Sequence, residues 1–206
     1  MRSTSTAALA LAVTTLAALG QGTFIYDQQS ATNRALSAGA PFGVEQPFGQ
    51  AFTPALSSVG FVQFEFSAFL QGNGPGATVY VNLWADSLAT GTLLGSTAPV
   101  YMPNSFLNNV TNFLFAVPVP VTPGTTYYLQ PVLQSGESAW DITVGNFNYA
   151  NGTWIAYGQP VLDGSVLWFR EGTYVPEPSS ALLFALAAAT LCAPRFHRLR
   201  HILGCP

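Results

Sequence analysis

The 206-residue chain has no lysine, and between Gln21 and Pro178 it has neither cysteine nor histidine. Both cysteines (Cys192 and Cys205) and both histidines (His197 and His201) lie beyond residue 190. The body of the chain therefore lacks a thiolate nucleophile, an imidazole base, a lysine for Schiff-base chemistry, the usual zinc ligands and any internal disulfide. Charge is scarce as well: Asp, Glu, Lys and Arg make up 7% of the sequence, against about 25% in an average soluble protein. Between residues 21 and 178 only Arg34 and Arg170 stand against nine acidic side chains. Neutralising phosphates needs a basic stripe, so nucleic acid is excluded as a partner, and anionic lipid would repel this stretch. The length suits one domain of about 100 to 200 residues with short appendages. No internal repeat is visible and no cofactor is expected.

What is abundant at the two ends is apolar. Met1 and Arg2 are followed by a Ser/Thr patch, an apolar run from Ala7 to Leu19 broken only by Thr14 and Thr15, and small residues at Ala18 and Gly20. This three-part layout reads as a secretory signal peptide over residues 1 to 22. At the other end, Val175-Pro176-Glu177-Pro178 precedes Ser179 and Ser180 and an apolar run from Ala181 to Ala193. The prolines stop the preceding strand, and a serine caps the helix that follows. Residues 179 to 196 extend about 27 Å as a helix, enough for a thin or temporary membrane span whose arginines reach the headgroups. Arginines stay cytoplasmic, so Arg195, Arg198 and Arg200 orient the body toward the periplasm or the exterior.

The order of Pro176-Glu177-Pro178, a short apolar helix and the cluster Arg195, Arg198 and Arg200 resembles the PEP-CTERM sorting signal over residues 175 to 200. Pro194 interrupts the apolar helix and residues 201 to 206 form a cytoplasmic extension beyond the arginines. The resemblance implies that Pro176, Glu177 and Pro178 are the recognition motif, residues 179 to 193 the span, and the three arginines the cytoplasmic stop. It further implies an exosortase as processing partner, a transient membrane anchor through the C-terminal helix, and a destination at the cell surface or in the extracellular matrix of a Gram-negative bacterium that makes exopolysaccharide.

From residue 23 to residue 174 the chain alternates short apolar runs with Gly, Pro and Asn and shows no helical period. Strands are expected at residues 23 to 26, 59 to 69, 77 to 84, 112 to 117, 125 to 133, 139 to 145, 153 to 157 and 164 to 170. Turn chemistry such as Gly72-Asn73-Gly74-Pro75-Gly76, Thr122-Pro123-Gly124 and Asn151-Gly152 separates them. The expected fold class is all-β, an antiparallel β-sandwich or jelly-roll-like ectodomain with helix only at the two ends. Alternation turns Ala77, Val79, Val81 and Leu83 inward, and Thr78, Tyr80, Asn82 and Trp84 outward. Tyr127, Leu129 and Leu133 point in while Tyr128 and Gln130 point out. Trp140, Ile142 and Val144 share a face opposite Asp141 and Thr143, which makes Trp140 a core residue. Asp27-Gln28-Gln29-Ser30, Gly49-Gln50-Ala51-Phe52-Thr53, Val79-Tyr80-Val81-Asn82-Leu83-Trp84 and Pro123-Gly124-Thr125-Thr126-Tyr127-Tyr128 resemble segments of the exported β-sandwiches called choice-of-anchor domains. That resemblance implies fold and export, and no chemistry.

Three activities compete for the body. A structural or adhesive module needs no site and is the first expectation. A carbohydrate-binding module is the second: Tyr80, Trp84 and Tyr128, with Asn82 and Gln130, would offer ring faces and amides to the apolar face and hydroxyls of a sugar. Segment 98 to 112, with Val100, Tyr101, Met102, Phe106 and Leu107, is apolar enough to cover that patch instead. A glycoside hydrolase working with carboxylates alone is third. It needs two of them about 5 to 9.5 Å apart, and Glu65, beside Gln63 and Ser67 on a polar strand face, has no second acid two residues away. The acids are otherwise expected as solvated surface groups. Asp27, Asp86, Asp141 and Asp163 are isolated in sequence and lack the clustering that calcium sites use. No metal site is expected, short of one assembled across loops.

Overall fold

A computed structural model describes residues 23–31, 37–68, 75–105, 107–136, 140–147 and 149–175. The expected signal peptide, sorting motif, C-terminal helix and arginine cluster lie outside them. Among the described residues no helix is long and apolar enough to cross a membrane.

The described residues form fourteen strands. In chain order they are β1 (Thr23–Gln29), β2 (Ser37–Pro41), β3 (Gly49–Phe52), β4 (Ser58–Ala68), β5 (Ala77–Ala85), β6 (Thr92–Ser96) and β7 (Val100–Met102). There follow β8 (Asn109–Pro120), β9 (Tyr127–Ser135), β10 (Trp140–Gly145), β11 (Trp154–Ala156), β12 (Gln159–Pro160), β13 (Val166–Leu167) and β14 (Phe169–Val175). Two antiparallel sheets result. The first runs β1-β14-β4-β10-β13, with β2 paired to β10 and β8 to β4. The second runs β12-β11-β3-β9-β5-β6, with β7 paired to β5.

One apolar core fills the space between the sheets. The first sheet contributes Val62, Phe64, Phe66, Phe113, Trp140, Ile142 and Phe169, and the second Phe52, Val79, Val81, Leu83 and Leu129. Period-2 alternation explains the split, since each of these residues has a neighbour on its own strand facing the other way. Aromatic rings meet edge to face within the first sheet, as between Phe66 and Phe113, 5.9 Å apart, and across the layer, as between Phe52 and Phe169, 6.5 Å apart. Trp140 is in the core, 1% exposed.

The strand count differs from the sequence expectation of about eight. β2, β3, β6, β7 and β12 were not expected as strands, and the single strand expected at 164 to 170 is two, parted at Trp168. All four residues of β3 are buried, and so are Val166, Leu167, Trp168 and Phe169. Burial on both faces erases the alternation on which a strand reading depends. β8 extends to Pro120 because β4 is its only strand partner among the described residues, and an edge strand tolerates Pro118 and Pro120. Within segment 98 to 112, expected as a cover for the outer face of β5, β7 and the start of β8 are strands of the sheets themselves. Residues 100–102 join the edge of β5 as β7, with Met102 inside and Tyr101 65% exposed.

Candidate binding face and buried acids

The five residues expected to bind sugar come together on the outer face of the second sheet. In the β5–β9 ladder Tyr80 pairs with Val132, Asn82 with Gln130, and Trp84 with Tyr128. Their inward neighbours Val79, Val81, Leu83 and Leu129 are fully buried in the core, so the five share the opposite side. Across the β5–β6 hairpin Asn82 pairs with Ser96 and Trp84 with Leu93. One row therefore reads Leu93, Trp84, Tyr128, and the next Ser96, Asn82, Gln130. Strand spacing sets the rows about 7 Å apart and their members about 5 Å apart.

The roles within this face divide. Tyr80, Trp84 and Tyr128 are half-buried, and Leu93 is 48% exposed. Asn82 and Gln130 are buried, which corrects the expectation that their amides are open to a ligand. They hydrogen-bond instead within the protein. The Gln130 side-chain oxygen accepts from Trp84 Nε1 at 2.8 Å and from Asn82 Nδ2 at 3.4 Å. Ser96 donates its hydroxyl to Asn82 Oδ1 at 2.6 Å, and Gln130 Nε2 donates to Gln46 Oε1 at 3.4 Å. Gln46 is itself fixed, donating to the Phe42 carbonyl at 2.7 Å. The amides thus hold the Trp84 ring in place and leave ring faces as the contact surface. Gln46, Ser96 and Leu93 belong to this face and were not singled out in the sequence. Counting residues outward from the turn at 86–91 would have found Leu93, but nothing local points to Gln46.

The acids are less solvated than expected. Glu65 is 1% exposed, and its Oε1 accepts a 2.9 Å hydrogen bond from the Thr143 hydroxyl. Nearby on the first sheet, Asp141 and Thr143 from β10, Ser67 from β4, Gly39 from β2, and Leu107 and Asn108 line a hollow of about 320 Å³. Ser67 and Asn108 close one side of it, the hydroxyl donating to Asn108 Oδ1 at 2.7 Å and accepting from the Asn108 amide at 2.9 Å. Burial raises the pKa of Asp141 above the usual carboxylate range; Glu45 is raised by burial and then by the charge of Asp141. Among the described residues no three or more of His, Cys, Asp and Glu gather at one point.

The chain matches no protein-family model, and no match was found among curated proteins.

Proposed function

We propose that the chain is an exported surface protein whose β-sandwich acts by adhesion and not by catalysis, with exopolysaccharide as the ligand of its β5–β9 face. One observation carries the binding half of this reading: Trp84 lies between Leu93 and Tyr128 in a single outward row, its ring fixed by the Gln130 hydrogen bond. Prepositioned aromatic faces suit the apolar side of a pyranose and lose little entropy when they engage it. The export half rests on the sequence alone, on the signal-peptide layout and on the Pro-Glu-Pro motif, apolar helix and arginine order that resemble a PEP-CTERM signal. In this reading an exosortase processes the tail, and the sandwich is released to the cell surface or matrix.

The test is affinity of the purified chain for the producing cell's exopolysaccharide, measured with thermal stability on the same samples. Trp84→Ala should weaken binding several-fold to about tenfold, the scale of one aromatic contact, while Tyr101→Ala, on the edge strand β7, leaves it unchanged. Equal affinity in both variants sinks the reading. Reducing-sugar release lost in Glu65→Gln would support a hydrolase instead.

A further inference from the structure

Glu171 sits on β14 opposite Val62, a core residue, so its carboxylate points between the sheets. Its sequence neighbour Arg170 pairs with Gln63 and faces the other way, with its guanidinium 4.7 Å from the Trp168 ring and 5.5 Å from the Tyr26 ring. Glu171 is completely enclosed, and neither of its carboxylate oxygens receives a hydrogen bond of normal geometry from a described residue. Burial first, then the charge of Asp27 beside it, push its pKa up to about 9 against the lowering effect of the Gln28 backbone amide. An enclosed carboxylate opposes folding unless it holds a proton or meets a cation.

Among the described residues the surroundings supply oxygens and N–H donors but no cationic side chain, Gln28 Nε2 donating to Asp27 Oδ1 at 3.2 Å. Asp27 on β1 reaches across to the segment after β3, its Oδ2 accepting from the Ala55 and Leu56 amides at 2.8 Å each. Gln28 Oε1 accepts from the Tyr149 hydroxyl at 3.4 Å, and that hydroxyl accepts from the Thr53 amide at 3.3 Å. Burial above all, against the lowering effect of the Thr53 amide and with the charges of Glu171 and Asp27 adding, raises the Tyr149 pKa to about 12. Two carboxylates, an amide oxygen and a phenol therefore meet where β1 and β14 adjoin, Glu171 enclosed and the other three half-buried. They come from β1, β14 and the segment between β10 and β11.

We propose that Asp27 and Glu171 are the anionic ligands of a buried calcium ion, with the Gln28 side-chain oxygen and neighbouring neutral oxygens completing its shell. A hard cation fits the carboxylate and amide oxygens. Calcium accepts irregular shells of six to eight oxygens, whereas magnesium demands a near-octahedral one. The ion would tie the first strand to the last and both to the turn after β3.

The test uses the full chain stripped with EDTA, titrated with calcium chloride by calorimetry and followed by thermal unfolding. One calcium per chain and a rise of several degrees in melting temperature are expected. Glu171→Gln, neutral and of equal size, should lose at least tenfold in calcium affinity together with the rise, while still unfolding cooperatively in EDTA. Should it fail to fold, Asp27→Asn provides the same readout. An unchanged melting temperature with calcium, a variant that keeps the calcium response, or an equal response to magnesium overturns the assignment. Without a calcium effect, a higher melting temperature of Glu171→Gln in EDTA would mean that the pair shares a proton.

Discussion

Trp84 Nε1 and Gln130 Oε1 are 2.8 Å apart on a diagonal of the β5–β9 ladder, which makes a buried amide the fixture for a half-exposed ring. Replacing Gln130 with methionine keeps the bulk and removes the acceptor shared by Trp84 and Asn82. Leaving such donors unpaired costs about 1 to 3 kcal/mol, so a lower denaturation midpoint and weaker polysaccharide binding are expected together. Trp84→Phe discards the hydrogen bond and keeps a ring. It should retain more affinity than Trp84→Ala, and the reverse order in a binding titration would separate the ring from the ligand.

Thr143→Val tests the buried acid of the first sheet. Valine matches threonine in shape but removes the hydroxyl that donates to Glu65 Oε1. A buried carboxylate that loses a donor is destabilised by about 1 to 3 kcal/mol. Denaturant unfolding should show the loss, and an unchanged midpoint would mean that the hydroxyl contributes nothing net.

Asp141 and Glu45 predict a pH dependence of definite sign. Their raised pKa values mean that the folded chain holds these protons more tightly than the unfolded chain, so ionisation costs stability. The cost is absent below the ordinary carboxylate range of about 4 and complete above the raised values. Asp141→Asn should therefore gain on the wild type as pH rises from about 4 toward neutrality. Parallel stability curves for the two proteins would remove Asp141 as the source.

Two glycines separate steric from conformational cost. A Cβ on Gly152 would collide with the Ala51 carbonyl, forcing apart β3 and the segment that leads into β11, whereas Gly124 has φ +79° and nothing within 4 Å of an added Cβ. Gly124→Ala should cost about 1 kcal/mol, from the left-handed backbone alone. Gly152→Ala should cost about 3 kcal/mol, the upper end of ordinary single substitutions. Similar midpoint shifts for the two would contradict the collision.

For the sequence ends, the intact mass of the exported product should correspond to a chain ending near Pro178. Recovery of the tail from Arg195 to Pro206 on exported protein would leave a plain C-terminal anchor in place of exosortase processing. Neutral substitution of Arg195, Arg198 and Arg200 should expose a C-terminal tag to external protease, because arginine count sets the orientation.

Alternation was readable wherever one strand face is buried and the other is not. That is why the sequence alone sets Ala77, Val79, Val81 and Leu83 apart from Tyr80 and Trp84. It was unreadable in Gly49–Phe52, where all four residues are buried, and in β2, whose Ser-Ala-Gly-Ala-Pro sequence has no large apolar residue to mark a face. Sites that depend on pairing across the fold were hidden for a different reason. Asp27 and Glu171 stand at opposite ends of the domain sequence, and only the adjacency of β1 and β14 makes them neighbours. Glu65 misled because an acid flanked by Gln63 and Ser67 reads as a wet strand face, yet Gln63 and Glu65 are buried in the folded sheet.

The position of β14 between β1 and β4 has a mechanical consequence. Load entering the sandwich at Val175 pulls along a strand gripped on both edges. The hydrogen bonds of Phe169 to Gly172 with β4 must then yield in shear as a group, together with those to β1. Peeling an edge strand would break them one at a time. A pull applied through the C-terminal side of the domain therefore meets a stiffer element than a pull on β8, which has one ladder to lose.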